Sequence, residues 1–243
     1  MLETIKCISL QKNQVIKDIR KACVKDRFRG LPKTDMQNCK NCGKCKDLCP
    51  TNAIGDDLKI DMGKCTFCGE CERACTSQTI HFTNFHKIGA SSRENLITNG
   101  EIDPIKSSEQ IKKLLGRALK LRQVSAGGCN SCEMELNACS NANFDMGRYG
   151  IEFVASPRHA DGIVITGPIT KNMAQALEET FQAIPEPRIV ILVGACAISG
   201  GIFQESEEIN REFLEKHKID LFIPGCPAHP LTIINAILDL LEK

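Results

Sequence analysis

The sequence predicts two folds in tandem: a small cysteine-wrapped α+β unit, then an α/β domain built on a parallel sheet. Two observations carry this. The stretch "CKNCGKCKDLCP" at residues 39 to 50 is repeated in its cysteine spacing 26 residues later by "CTFCGECERACT". From about residue 121, short apolar runs alternate with helical stretches, the pattern of a parallel sheet covered on both faces. The chain divides accordingly into an N-terminal helical extension (1–35), the cysteine unit (36–85), a linker and helix (86–120) and the sheet domain (121–243).

Composition narrows the classes. The 243 residues are 42% hydrophobic and 25% charged, ordinary for a globular protein with a real core. No apolar run reaches the length of a membrane span, and neither a charged-then-apolar leader nor a twin-arginine signal opens the chain, so the expected place is the cytoplasm. Fifteen cysteines in such a chain point to metal ligation and not to the disulfide framework of a small secreted domain. One Tyr and no Trp leave little material for a base-stacking platform. Residues 1–35 hold nine Lys and Arg against four Asp and Glu, and residues 104–122 six against one. Both stretches read as docking surfaces or solvated helical faces, and nucleic acid is not expected as a partner.

Taken in order, residues 11 to 25 place Val15, Ile16, Ile19, Ala22 and Cys23 on one helical face, predicting an amphipathic helix with Cys23 in the core. The cysteine unit follows. Its spacing, C-x2-C-x2-C-x3-C before a proline, is the two-cluster bacterial ferredoxin run, whose fourth cysteine ligates the other cluster. Crossing the fourth ligands assigns one [4Fe-4S] cluster to Cys39, Cys42, Cys45 and Cys75, and a second to Cys65, Cys68, Cys71 and Cys49. Gly43 and Gly69 ease the tight wrapping of each loop. Zinc is the competing metal, but structural zinc sites use separated pairs and not an uninterrupted triplet. Between the runs, "AIGDDLKID" reads as a turn-linked strand pair, with "TIHFTNF" its counterpart in the second half. Residues 86 to 106 are polar, and "SSEQIKKLLGRALKLRQ" begins at a capping serine and continues as an amphipathic helix.

In the sheet domain "EFVAS", "DGIVITG", "RIVILVG" and "DLFIPG" read as strands, with helices near 171–184, 205–216 and 229–242. Functional loops in such sheets gather at the carboxyl ends of the strands. There "GGCNSC", "VGAC" and "IPGC" bring Cys129, Cys132, Cys196 and Cys226 to one edge, each loop with a glycine beside its cysteine. The reading is a third [4Fe-4S] site; the plain alternative is cysteine as a small buried hydrophobe. Arg158 and His159 in "SPRHAD" are candidates for tuning that cluster's potential, or simply part of a turn held by Pro157. Glu133 and Glu135 favour a helix N-terminus. Cys7, Cys23 and Cys139 remain and are assigned no ligand role.

The blocks "GGCNSCEMEL", "YGIEFVASPRHADGIVITGPIT", "VGACAISGGIF" and "PGCPAHP", in this order, resemble the small subunit of membrane-bound, energy-converting [NiFe] hydrogenases of the formate hydrogenlyase type. The resemblance runs from about residue 121 onward. It implies a flavodoxin-like fold and a proximal cluster on Cys129, Cys132, Cys196 and Cys226, beside a nickel-iron centre in a large subunit. The similar subunit of complex I has its first two cysteines adjacent, whereas Asn130 and Ser131 separate them here. "RFRGLP", residues 27–32, is similar to the segment before the clusters in the ferredoxin-like subunit of the same complexes, so two usually separate subunits look fused. The implied function is an electron-transfer subunit fed by soluble ferredoxin or a formate dehydrogenase. Its partners would be the large subunit and membrane-arm subunits, which hold it at the inner face of the cell membrane. The rivals are a complex-I-like quinone or sulfur reductase subunit and a stand-alone electron carrier.

Overall fold

The computed structural model describes residues 2–11, 14–115 and 117–243. Its first half runs α1 (Leu2–Gln11), β1 (Pro32–Thr34), α2 (Lys44–Asp47), β2 (Ile60–Asp61), α3 (Glu70–Ala74), β3 (Ile80–Phe82), β4 (Ile97–Thr98) and α4 (Glu109–Leu115). The second half is β5 (Leu119–Ser125), α5 (Ser131–Ala138), β6 (Ile151–Phe153), β7 (Gly162–Thr166), α6 (Lys171–Gln182), β8 (Ile189–Val193), α7 (Ala195–Ser199), α8 (Glu212–Lys216), β9 (Leu221–Ile223) and α9 (Pro230–Leu240).

The five strands of the second half pair in parallel in the order β6-β5-β7-β8-β9. Numbered from the first of them, this is 2-1-3-4-5, the flavodoxin-like order. Every residue of β7 and β8 is buried, because helices cover both faces. Continuous apolar runs are what such central strands require. On one face α9 packs with α5 on Leu121, Ile191 and Leu221, with Ile19 completing the layer. The other face is continuous with the cysteine unit: Ile163, Ile165 and Leu192 belong to the same apolar core as Ile60, Met62, Phe67 and Leu96. Each such side chain taken out of water contributes roughly 1.5–3 kcal/mol.

The 26-residue repeat is visible in the backbone. Left-handed residues recur at Asn41 and Phe67, at Gly43 and Gly69, and at Asn52 and Gln78. The short helices α2 and α3 start at equivalent positions and pack on each other. Around them β1 pairs with β3 and β2 with β4, both antiparallel, while Ile54 and Ile60 close the turn between the cysteine runs with a single bridge.

Segment 86–98 ties the two units together. Ala90 exchanges both backbone hydrogen bonds with Phe222 of β9 (2.9 and 2.8 Å), adding an antiparallel rung to the sheet edge. Arg93 makes a two-pronged ion pair with Asp61 (2.8 and 2.6 Å). Gly63 fits against Ile198 of α7 so closely that a Cβ there would lie 2.7 Å from its side chain.

Three expectations differ from the structure. The helix expected over 11–25 is not formed: residues 12 and 13 lie outside the described residues, and beyond them only Ile19–Lys21 makes a 3-10 turn. Tertiary contacts decide this segment. Ile19 is fully buried beside α9, and Arg20 bonds Asp239, the Asn235 side chain and the Lys243 carbonyl, leaving Cys23 exposed instead of in the core. The helix from Ser108 ends at Leu115, and "LKLRQVS" becomes β5, since its alternating apolar residues pair with β6 and β7. Near 205–216 only Glu212–Lys216 is helical, because Ile209 and Asn210 bond back to Thr170 and Ile169.

Candidate metal centres

Three groups of four cysteines are brought together, each by a different piece of local structure. Cys39, Cys42, Cys45 and Cys75 line one cavity. Cys49, Cys65, Cys68 and Cys71 line another. The three closely spaced cysteines of each loop therefore meet the fourth cysteine of the other loop. Backbone amides point at the sulfurs in matched pairs: Asn41 N–H to Cys39 Sγ (3.3 Å) and Phe67 N–H to Cys65 Sγ (3.3 Å), then Ala53 N–H to Cys49 Sγ and Thr79 N–H to Cys75 Sγ (both 3.2 Å). Such donors stabilise thiolate sulfur and raise the potential of a cluster held by it.

The third group sits where β5, β8 and β9 end. Cys132 lies in the first turn of α5 and Cys129 just before it, Cys196 lies in the first turn of α7, and Cys226 follows β9. Gly194 is required for their approach. It has φ +92°, a conformation side chains rarely adopt, and a Cβ on it would stand 2.5 Å from Cys132 Sγ. Burial pushes the Cys132 thiol up to about 12 and Cys196 up to about 11, with Cys226 adding to both. Cys129, more exposed, is held below the ordinary thiol range by hydrogen bonds with Ser131.

The second group neighbours both of the others. Burial pushes Cys71 up to about 12, with Cys49, Cys68 and also Cys45 of the first group contributing as neighbours. Cys226 is raised by burial, then by nearby Cys129 and by Cys68 of the second group. Cys226 also borders a cavity of about 230 Å³ whose other lining residues include Phe67, Arg29 and His229.

These residues fit the cubane expected of them. Each group supplies four soft thiol donors and close backbone, and iron binding would displace the thiol protons to solvent.

Two charged side chains beside the third group were not identified as important from sequence. Glu133, foreseen only as favouring a helix N-terminus, is 6% exposed and accepts hydrogen bonds from Ser125 Oγ (2.6 Å) and Thr166 Oγ1 (2.7 Å). Arg211 reaches in from the turn before α8 and bonds the carbonyl of Cys196 (3.2 Å). Nothing in "NREFLEK" marks that arginine out. Arg158 and His159, by contrast, sit exposed on the turn after β6, with no hydrogen bond or ion pair to these cysteines among the described residues. Of the remaining cysteines, Cys139 is fully buried against α5 and Cys7 is exposed on α1.

Comparison with known proteins bears on both halves. The family described as NADH ubiquinone oxidoreductase, 20 Kd subunit, matches residues 129–240, and the 4Fe-4S binding domain matches residues 32–55 and 58–81. The probable membrane-bound hydrogenase subunit mbhJ of Pyrococcus furiosus is 37% identical over 134 residues, 55% of this chain and 80% of that one. An NADH-quinone oxidoreductase subunit of Citrifermentans bemidjiense is 39% identical over 116 residues, 48% and 68% of the two chains. Formate hydrogenlyase subunit 7 of Escherichia coli is 38% identical over 134 residues, 54% and 52% of the two. Among solved structures, the membrane-bound sulfane sulfur reductase, an archaeal respiratory membrane complex, has a chain that matches 55% of this one and 73% of its own length. That match has 26% identity and a TM-score of 0.48.

Proposed function

We propose, for a chain that belongs to the NADH ubiquinone oxidoreductase 20 Kd subunit family and carries two 4Fe-4S binding motifs ahead of it, the role of electron wire in an energy-converting [NiFe] hydrogenase complex. The observation that carries this reading is the row of three cysteine groups, with Cys45 beside Cys71 and Cys68 beside Cys226. [4Fe-4S] clusters held there would supply one-electron carriers between a donor and a partner's active site. The ligand sets are Cys39, Cys42, Cys45 and Cys75; Cys49, Cys65, Cys68 and Cys71; and Cys129, Cys132, Cys196 and Cys226.

The chain's own residues do the rest. Amides on Cys39, Cys49, Cys65 and Cys75 stabilise thiolate sulfur, and the core shared by the cysteine unit and the sheet fixes the spacing of the groups. The two ends of the row differ. Cys42 is exposed, which suits entry from a soluble ferredoxin or a formate dehydrogenase partner. At the other end Cys129 and Cys226 are exposed, and so are apolar residues close in sequence to the cysteine-bearing turns: Met134 of α5 (64%), and Ile202 (62%) and Phe203 (41%) just after α7. Exposed apolar side chains around a metal site favour a permanent protein partner, here the large subunit with its nickel-iron centre. Twelve of the fifteen cysteines belong to the three groups, so proton reduction or hydrogen oxidation is assigned to that partner.

Among the described residues no helix is long and apolar enough to cross a membrane. Attachment to the inner face of the cell membrane would therefore run through membrane-arm subunits. The separation of Cys129 from Cys132 by Asn130 and Ser131 favours hydrogenase over complex I chemistry. The 39% identity to a quinone oxidoreductase subunit keeps the second reading specific. Nickel in the complex pulled natively from membranes through this chain tests the choice. About one nickel per copy supports a hydrogenase; iron near three cubanes without nickel moves the terminus to quinone or sulfur chemistry.

A further inference from the structure

Arg211 is turned into the protein, and its guanidinium donates only to carbonyls. Nη1 reaches Pro168 and Cys196 (both 3.2 Å), and Nη2 reaches Ala197 (2.9 Å) and Ile198 (2.8 Å). Three of these belong to α7, whose first turn carries Cys196, so the side chain clamps the helix that presents that sulfur. Carbonyl dipoles satisfy the N–H groups but supply no negative charge, and even a half-buried cation held away from a counter-charge is costly. No carboxylate compensates it among the described residues: its charged neighbours are Arg93, already paired with Asp61, and Cys196. A guanidinium keeps its charge throughout the physiological range. Glu133, the buried carboxylate beside the group, is turned to Ser125 and Thr166, so the nearest place for a counter-charge is the group to which Cys196 belongs.

We propose that Arg211 is the fixed counter-charge of the third cluster, and that it raises that cluster's reduction potential. The inference rests on the reading that Cys129, Cys132, Cys196 and Cys226 hold a [4Fe-4S] cluster. With four thiolates such a cluster is anionic, and one added electron makes it more so by one unit. Arg211 exchanges neither proton nor electron in that step; its constant charge favours the reduced form by Coulomb attraction.

The test is a redox titration followed by electron paramagnetic resonance on the intact complex containing the full chain. In Arg211→Gln the reduced-to-oxidised ratio of the third cluster at a fixed potential should fall about tenfold, equivalent to ~59 mV for a one-electron couple. The other two clusters should be unmoved. Arg211→Lys, which keeps the charge but loses the fork, should stay within about threefold of the unsubstituted chain. An unchanged third potential in a fully loaded Gln variant overturns the proposal. So does a Lys variant shifted as far as the Gln one, which would leave Arg211 a clamp only. If the Gln variant does not hold the cluster, the Lys variant decides alone by the same limits. An unsubstituted complex with about eight iron atoms per chain and two reducible clusters would overturn the underlying reading before any variant is made.

Discussion

Gly194→Ala is the sharpest perturbation of the third cysteine group. The added methyl would stand 2.5 Å from Cys132 Sγ, whereas ordinary contact begins at 3.4 Å, so the sulfur must retreat by about 0.9 Å. Metal–ligand distances tolerate about 0.2 Å. The backbone cannot absorb the conflict, because φ +92° is itself unfavourable for alanine and costs about 1–3 kcal/mol. The sheet beneath, with β7 and β8 fully buried, should still fold. The expected outcome is selective: iron falls from about twelve to about eight atoms per chain, and one of three reducible signals disappears. Iron analysis with electron paramagnetic resonance reads both. Gly147→Ala, where a Cβ meets nothing within 4 Å, is the matched control and should keep full iron. A Gly194→Ala chain with full iron and three signals would refute the argument that close approach at Gly194 shapes this site.

Three further outcomes are expected. Asp61→Asn removes the carboxylate that grips Arg93 and leaves that half-buried cation beside Arg211, so thermal melting should show a loss of about 1–3 kcal/mol. Stripping iron with a chelator should abolish hydrogen-exchange protection in residues 39–79, whose helices are only four and five residues long, while β7 and β8 keep theirs. Glu178 is raised by its slight burial but lowered more by hydrogen bonds from His217 and Gln182, so its net pKa lies below the ordinary glutamate value. Its stabilisation is present above the unfolded value and lost as pH falls through the folded one. The stability gap between the unsubstituted chain and Glu178→Gln should therefore close on acidification, as denaturant melts at several pH values will show.

What the sequence makes legible follows from how local each signal is. The 26-residue repeat is written in cysteine spacing and reappears as paired left-handed residues and paired N–H to sulfur bonds. Strand ends are marked by glycine beside cysteine, which is how three loops scattered from residue 127 to 226 could be placed at one edge. Arg211 and Glu133 carry no such mark. Their meaning comes from partners at Cys196 and Thr166, fixed only once the sheet has formed. The helix expected over 11–25 fails for the same reason: a periodic apolar pattern was present, but Ile19 and Arg20 gain more from α9 than from a helix of their own.

The grip of Arg20 on Asn235 and Asp239 also has a bearing on synthesis. It joins positions 215 and 219 residues apart, and Ile19 packs in the same layer as α9. Contacts that distant in sequence form late and slow folding. A ribosome releases the cysteine unit, with both its repeats, well before β8, β9 and α9 exist. The apolar core that unit shares with Ile163, Ile165 and Leu192 is then still incomplete. The segment around Ile19 must then wait, exposed, for a helix not yet made, and it is there that a chaperone or maturation factor would find something to hold.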